Sequence, residues 1–245
     1  MNAGSPIPVV YLDGSAVGAF DIFNPNDWQT ETRGVIHSCA TELAVLQYSA
    51  KRIGTICLSA KDLCRPHFEN LRRQWQTSPW DLAKTVFYGQ LPELHVLVAG
   101  FFAGLKSLLD LNAQLLSTEG VVGVSLDGFH RVKDVYGGVV VNALDRNAKH
   151  GKKHVAKAIR ELITEHKKLW IDGVIGARNL LVHPTRGAQQ LMFELQVESR
   201  DGLLLYRNAV PPHVGSAPIS DYAVARVEDI KGFSSSLLTK LREAA

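Results

Sequence analysis

Apolar residues recur every three or four positions along most of the chain, which is the period of an amphipathic helix. The pattern predicts helices over 31–54, 61–76, 92–116, 153–182 and 219–243. Ser78-Pro79 predicts the start of one more helix at 78–84, and Ser220 or Asp221 is expected to cap the last one. Valines in 121–145 favour strand, yet the spacing of its larger apolar residues is helical, so we expect helix after Ser125.

Two segments have the alternation and turn residues of β-hairpins. Residues 7–23 contain two short apolar runs around Asp13-Gly14, and two runs at about 190–210 meet at Arg200-Asp201-Gly202. The fold class is therefore mainly α with small hairpin additions. We divide the chain into an accessory hairpin and helix over 1–60 and a helical domain over 61–245, which includes a hairpin insertion at 188–210 and the C-terminal helix.

Composition indicates a soluble globular protein, since 46% of residues are hydrophobic and 21% charged. The net charge of +3 permits a phosphate-bearing partner without requiring one. Three cysteines without CxxC spacing fit reduced thiols in the cytoplasm, with no metal site. No secretion signal is recognisable, and polar residues interrupt the apolar segment 94–116, so we predict a buried core helix and no membrane association.

The candidate chemistry lies in "GARNLLVHPTRG", where Arg178, Asn179 and His183 close the helix predicted over 153–182. Asn179 and His183 are four residues apart and share a helix face, and the long side chain of Arg178 can converge with them. Two other pairs have similar spacing, but Arg160/His166 lies within a helix and Arg207/His213 contains two prolines. A purely structural role is the alternative, because cations at a helix C-terminus interact favourably with its dipole.

The sequence "ARNLLVHP" at the end of a late helix resembles the signature of the HEPN (higher eukaryotes and prokaryotes nucleotide-binding) superfamily. The resemblance implies an up-and-down helical bundle that forms a homodimer, with the motifs of two copies facing one cleft. It also implies a metal-independent endoribonuclease without a cofactor. His183 would transfer protons at the ribose 2′-OH or the leaving oxygen, Arg178 would stabilise transition-state charge, and Asn179 would orient the phosphate or the histidine.

Further RNA contacts are expected from charged residues outside the motif: Lys106, Asp110, Lys149, Lys152, Lys153 and Arg186. Lys106 and Asp110 lie one turn apart on an apolar helix and can face the cleft, or can form an ordinary ion pair. The lysines of the basic run "DRNAKHGKKHVAK" can guide RNA, or can simply be solvated.

Several functions remain open. By family analogy the nuclease would be a toxin or antiviral defence effector, with an antitoxin or regulatory protein as a partner. A HEPN-like module could instead bind RNA, nucleotides or proteins without catalysis, or the helices could form an interaction protein unrelated to nucleic acid. "VVYLDGSAV" faintly resembles the first strand of a PIN-type metal-dependent nuclease with Asp13 as its acidic residue, although Asp13-Gly14 equally suits a hairpin turn.

Overall fold

A computed structural model describes residues 19–77, 87–182, 191–201 and 203–243. Within these residues the chain is mainly helical with a small antiparallel sheet. The helices are α1 (Ala19–Ile22), α2 (Thr30–Leu58), α3 (Ala60–Thr77), α4 (Pro92–Thr118), α5 (Gly138–Arg146), α6 (Lys153–His166), α7 (Asp172–Val182) and α8 (Ile219–Arg242). A 3₁₀ turn spans Pro25–Asp27, and a π turn at Lys167–Ile171 joins α6 to α7.

The hydrophobic core is built mainly by α2, α4 and α8. Helix α2 packs most extensively against α4 and next against α8, and its buried side chains belong to the same core. The helix of the proposed accessory segment is thus a central part of this core. A buried hydrogen bond of 2.9 Å from Asn112 Nδ2 of α4 to Ser234 Oγ of α8 pairs two polar groups inside it, which avoids the cost of leaving either unsatisfied.

Helix α4 begins at Pro92, as expected from the preference of proline for the first helical turn. Its buried residues include Leu94, Phe101, Leu105 and Leu109, in agreement with the predicted core helix. By length and apolar composition alone the same helix could cross a membrane.

The sheet is antiparallel throughout, and its strands lie in the order β1 (Phe87–Gln90), β2 (Met192–Arg200) and β3 (Leu203–Val210). Strands β2 (Met192–Arg200) and β3 (Leu203–Val210) form the predicted hairpin, with Asp201 at a positive φ of 53° next to the turn. Strand β1 (Phe87–Gln90), which periodicity missed, pairs with β2. Helix α3 covers the sheet, where Phe68 stacks on Tyr206 at 5.2 Å and the Tyr206 hydroxyl donates to the Lys61 carbonyl. A second small sheet pairs β4 (His213–Val214) with β5 (Ala217–Pro218).

Three sequence expectations about element boundaries are wrong, and a fourth is not tested. Residues 19–22 of the N-terminal hairpin form a helical turn, while 1–18, with Asp13, lie outside the described residues. Helix α2 runs through Gly54 to Leu58, because a glycine within a helix weakens it without ending it. Helix α8 has Pro218 at its N-cap, so Ser220 and Asp221 lie in its first turn and do not cap it. The helix predicted at 78–84 falls outside the described residues.

The helix predicted after Ser125 is also wrong for residues 126–137, which are not helical. The segment 119–137, here called the α4–α5 loop, contains turns, bends and two isolated bridges, one between Val132 and Val135 and one from Val122 to Ala148. Gly137 has a φ of +67°, and a Cβ at this position would overlap the ring of Phe129. A left-handed residue cannot continue a right-handed helix, so α5 begins only at Gly138.

The long helix predicted over 153–182 is confirmed, but it contains the π turn at Lys167–Ile171. A π turn adds one residue to the helical repeat and displaces the buried stripe by about one position. The helical period places Leu169 and Trp170 on the apolar side; Trp170 is buried together with Ile171, whereas Leu169 is 67% exposed.

Candidate functional site

The last turns of α7 present two of the three residues in the predicted catalytic motif. Arg178 and Asn179 are both half-buried, and α7 ends at Val182, two residues before Pro184. His183 and Arg186 lie outside the described residues.

Arg178 has a hydrogen-bond donor that no described residue accepts. Its Nε–H is buried and has no hydrogen-bond partner among the described residues, and no carboxylate there forms an ion pair with it. Buried donors are nearly always paired in folded proteins, so an unpaired one suggests a partner supplied from elsewhere. A guanidinium group in this state is suited to an anionic group such as a phosphate.

Asn179 is fixed by a residue that is distant in the sequence. Its side-chain Nδ2 donates a hydrogen bond of 2.6 Å to the hydroxyl of Tyr136, in the α4–α5 loop. An amide nitrogen carries two hydrogens, so the hydrogen bonds within the described part of the chain leave one N–H and the carbonyl oxygen Oδ1 for other partners. The bond thereby sets the orientation of a group that can contact a phosphate or an imidazole.

Two cations surround Tyr136. Lys167 Nζ, in the π turn, donates to the Tyr136 carbonyl at 2.6 Å and pairs with Asp172 at 2.7 Å. The guanidinium carbon of Arg131 lies 5.5 Å from the centre of the Tyr136 ring, within the range of a cation–π contact, and Arg131 also pairs with Asp134. Tyr136 is thus held by its hydroxyl, its ring and its backbone.

Lys106 and Asp110 connect the α4–α5 loop to α4. They form an ion pair in which both side chains are about one quarter exposed, and Asp110 Oδ1 accepts a hydrogen bond of 2.6 Å from the backbone N–H of Phe129. A carboxylate in two charge-assisted contacts is a strong local anchor. In the structure this predicted RNA-binding pair therefore holds the loop that carries Tyr136.

The lysines of the basic run are at the other end of the α6–α7 segment. Lys153 is the first residue of α6, about 35–40 Å of helix from Arg178. Lys152 Nζ donates to the carbonyl of Glu119, the C-cap of α4, at 3.0 Å, so it caps that helix end. Lys149 and Lys153 are exposed. The fold does not bring these three lysines to the end of α7.

The same long helix carries a partly apolar cleft of about 510 Å³. It lies between the π turn, α7, the β4–β5 turn and α8, and it is lined by Leu169, Trp170, Gly173, Gly176, Ala177, Leu180, Leu181, Val214, Gly215, Tyr222 and Arg226. Leu180 is 49% exposed and, with Leu169, Gly173 and Gly176, forms an exposed face at helical spacing. We call these four residues the leucine–glycine face.

His166, next to the π turn, is half-buried and accepts a hydrogen bond. Its Nδ1 accepts a hydrogen bond of 2.8 Å from Trp170 Nε1, and its ring meets Phe233 edge-on at 5.2 Å. Burial lowers the pKa of His166, an effect that Glu165 and Asp229 oppose through their negative charge. The residue is therefore a structural acceptor at neutral pH.

Cysteine and metal chemistry are not indicated by the described part of the chain. Cys39, Cys57 and Cys64 are free, and burial raises the pKa of the Cys57 and Cys64 thiols to about 11, so they are poor nucleophiles at neutral pH. The described ranges contain no group of three or more His, Cys, Asp or Glu side chains that could hold a metal ion.

Sequence reasoning missed Tyr136, Lys167 and Arg131 as parts of this site. Gly137-Gly138, directly after Tyr136, was a usable signal because paired glycines mark a turn and argue against the helix predicted there. Nothing in the sequence indicated that this turn meets Asn179, which is a tertiary contact. Comparisons with protein-family models, curated proteins and solved structures found no match to this chain.

Proposed function

We propose that the chain is a metal-independent endoribonuclease of HEPN type, with Arg178, Asn179 and His183 as its catalytic residues. The observation that carries the proposal is the state of the first two residues. Arg178 has a buried donor without a partner among the described residues, and Asn179 is held in one orientation by Tyr136. An anion-binding guanidinium and an oriented amide, four to five residues before a histidine, are groups that phosphodiester cleavage can use.

The reaction would begin with attack of the ribose 2′-oxygen on the adjacent phosphorus. His183 would remove the 2′-OH proton or protonate the 5′-oxygen as it leaves, which an imidazole can do near neutral pH. Arg178 would stabilise the charge that develops on the phosphate oxygens, and the free N–H of Asn179 would orient the same group. The products are a 2′,3′-cyclic phosphate and a 5′-hydroxyl, so DNA is not a substrate.

A homodimer is part of the proposal, because one chain supplies a single motif and the resemblance implies a paired site. The leucine–glycine face supports it: an exposed apolar helix face is a common contact surface between subunits. Glycines at 173 and 176 have no atom within 4 Å of a hypothetical Cβ, so this face is open to a close approach. We infer that a second copy of the chain covers it.

The test is cleavage of a labelled RNA and of the matching DNA in the presence of EDTA. We expect the wild type to cut RNA alone and to leave cyclic-phosphate ends, and we expect Arg178→Ala and His183→Ala to remove the activity while remaining folded. Arg207→Ala and His213→Ala are matched controls, because this pair has similar spacing at the hairpin, far along the sequence from the motif. Intact RNA with the wild type, or equal loss in the control variants, contradicts the proposal.

A toxin or defence role follows from the same activity. Expression of the wild type should then arrest growth of a bacterial host, whereas His183→Ala should be tolerated at the same protein level. An antitoxin or regulatory protein would restore growth without lowering that level. Equal toxicity of both forms would assign the growth defect to something other than RNA cleavage.

A further inference from the structure

We propose that Tyr136 is a positioning residue of the ribonuclease site and acts through Asn179. The inference rests on the proposed function and adds to it a residue outside the Arg–Asn–His motif. Tyr136 is 43 positions before Asn179 in the sequence, and its hydroxyl accepts the 2.6 Å hydrogen bond from Asn179 Nδ2. This bond leaves the Asn179 amide with one N–H and one carbonyl oxygen in defined directions.

Fixing the amide matters because the end of a helix is conformationally loose. A side chain near the last turn of α7 has rotamer freedom that it must lose when it binds a phosphate. A hydrogen bond already formed in the free protein removes part of that loss before the substrate arrives. Small displacements of groups that position a substrate lower rates strongly, by up to about 100-fold for 1 Å.

The position of Tyr136 is set by two contacts and by the turn that follows it, so it can serve as a fixed point. Lys167 Nζ binds its carbonyl at 2.6 Å, and Arg131 lies over its ring. Gly137 then turns the chain at a φ of +67° against the ring of Phe129. A residue with only an incidental surface contact would not need this support.

The loop is fixed in turn to the core helix α4. Asp110 accepts from the N–H of Phe129 at 2.6 Å and pairs with Lys106. The chain of contacts therefore runs from α4 through the α4–α5 loop to Asn179 on α7. Lys106 and Asp110 would affect catalysis through this chain of contacts, without touching RNA.

The experiment is a steady-state analysis of RNA cleavage by the wild type, Tyr136→Phe, Asn179→Ala and the double variant. Phenylalanine keeps the ring, its contact with Arg131 and the backbone bond to Lys167, and it removes only the hydroxyl. We expect Tyr136→Phe to lower kcat about tenfold or more, with a smaller change in KM. The double variant should lose no more activity than Asn179→Ala alone, because each single change already removes the same hydrogen bond between residues 136 and 179.

Tyr206→Phe is the matched control. Its hydroxyl also makes one hydrogen bond, of 2.8 Å to the Lys61 carbonyl, but it joins α3 to the sheet. We expect this variant to lose stability and keep kcat, which separates a general effect of losing a tyrosine hydroxyl from an effect on the site. Urea unfolding of every variant reports whether each remains folded.

The outcomes distinguish the two proposals. A wild type that cleaves RNA, with Tyr136→Phe equally active or with a double variant that loses the product of both single effects, overturns the role of Tyr136 alone. A wild type without ribonuclease activity overturns the proposed function and this role together. Loss in Tyr136→Phe that is absent in Tyr206→Phe, and no further loss in the double variant, supports the positioning role.

Discussion

The side-chain amide of Asn179 and the hydroxyl of Tyr136 are joined by a hydrogen bond of 2.6 Å between a helix end and a loop. Asn179 lies on α7, whereas Tyr136 lies in the α4–α5 loop, which is fixed to α4 by Asp110. The geometry at the end of α7 consequently depends on a segment with little regular structure. Changes in this loop are expected to affect stability and the candidate site together.

Gly137→Ala is expected to lower the free energy of unfolding by about 2–4 kcal/mol. The left-handed backbone alone costs an alanine about 1 kcal/mol, and overlap with the Phe129 ring adds the cost of overpacking, about 1–3 kcal/mol. Gly215→Ala is the control, because its φ of +63° is similar and its Cβ would meet nothing within 4 Å. Urea unfolding should give a loss near 1 kcal/mol for the control, and equal losses in both variants would show that Phe129 does not restrict position 137.

Asp110→Ala should destabilise the protein by about 2 kcal/mol. The change leaves the partly buried Lys106 ammonium without its carboxylate and the Phe129 N–H without its acceptor. Asp110→Asn keeps an acceptor for Phe129 and should cost less. Glu228→Ala removes a more exposed ion pair with Lys231 and should change stability by no more than about 0.5 kcal/mol. A similar effect of Asp110→Ala and Glu228→Ala in thermal unfolding would contradict the anchoring role.

The elements that could be predicted from the sequence are those whose pattern of apolar residues lies within one segment. Helices α2, α4 and α8 and the hairpin β2–β3 were recognisable because each repeats its apolar residues within a single segment. Strand β1 has only four residues, and it is defined by pairing with β2, about 100 residues later. A short strand of this kind has no detectable period of its own. The π turn was also hidden, since one extra residue per turn leaves no signature in composition, and it moved Leu169 out of the core.

For the candidate site, the motif indicated Arg178 and Asn179, but the sequence did not indicate what surrounds them. Tyr136, Lys167 and Arg131 come from a loop and a π turn, and they meet only in the folded chain. Lys106 and Asp110 were predicted as RNA contacts, with an ion pair as the alternative, and the contact of Asp110 with Phe129 depends on the path of the α4–α5 loop. The sequence can thus identify the motif, whereas the contacts that hold its side chains in place form only in the folded chain.

Leu180→Glu is expected to shift the proposed homodimer toward monomers. A carboxylate in the leucine–glycine face would have to be desolvated when a second copy covers it, which costs several kcal/mol. Val224→Glu is the control, since Val224 is 55% exposed on α8 and Leu180 is 49% exposed on α7. Sedimentation equilibrium should give a dimer for the wild type and the control. A monomeric wild type, or a dimer that tolerates Leu180→Glu, would remove this face from the proposal.

Acidification is expected to destabilise the protein through His166. Burial lowers the pKa of this imidazole below its ordinary value of 6.5, and the negative charges of Glu165 and Asp229 only partly oppose that effect. As pH falls below about 6.5 the unfolded chain binds a proton that the folded chain still rejects, so the free energy of unfolding decreases until the folded pKa is reached. Protonation also removes the Nδ1 lone pair that accepts the Trp170 hydrogen bond.

The measurement is the free energy of unfolding between pH 5 and pH 8 for the wild type and His166→Gln. The wild type should lose stability on the acid side of this range, and the variant should lose less, because glutamine has no proton to take up. His150→Gln, at an exposed loop position, should keep the slope of the wild type. If the free energy of unfolding of His166→Gln fell with acid as steeply as that of the wild type, groups other than His166 would cause the acid sensitivity. A steeper slope would contradict the sign of the linkage.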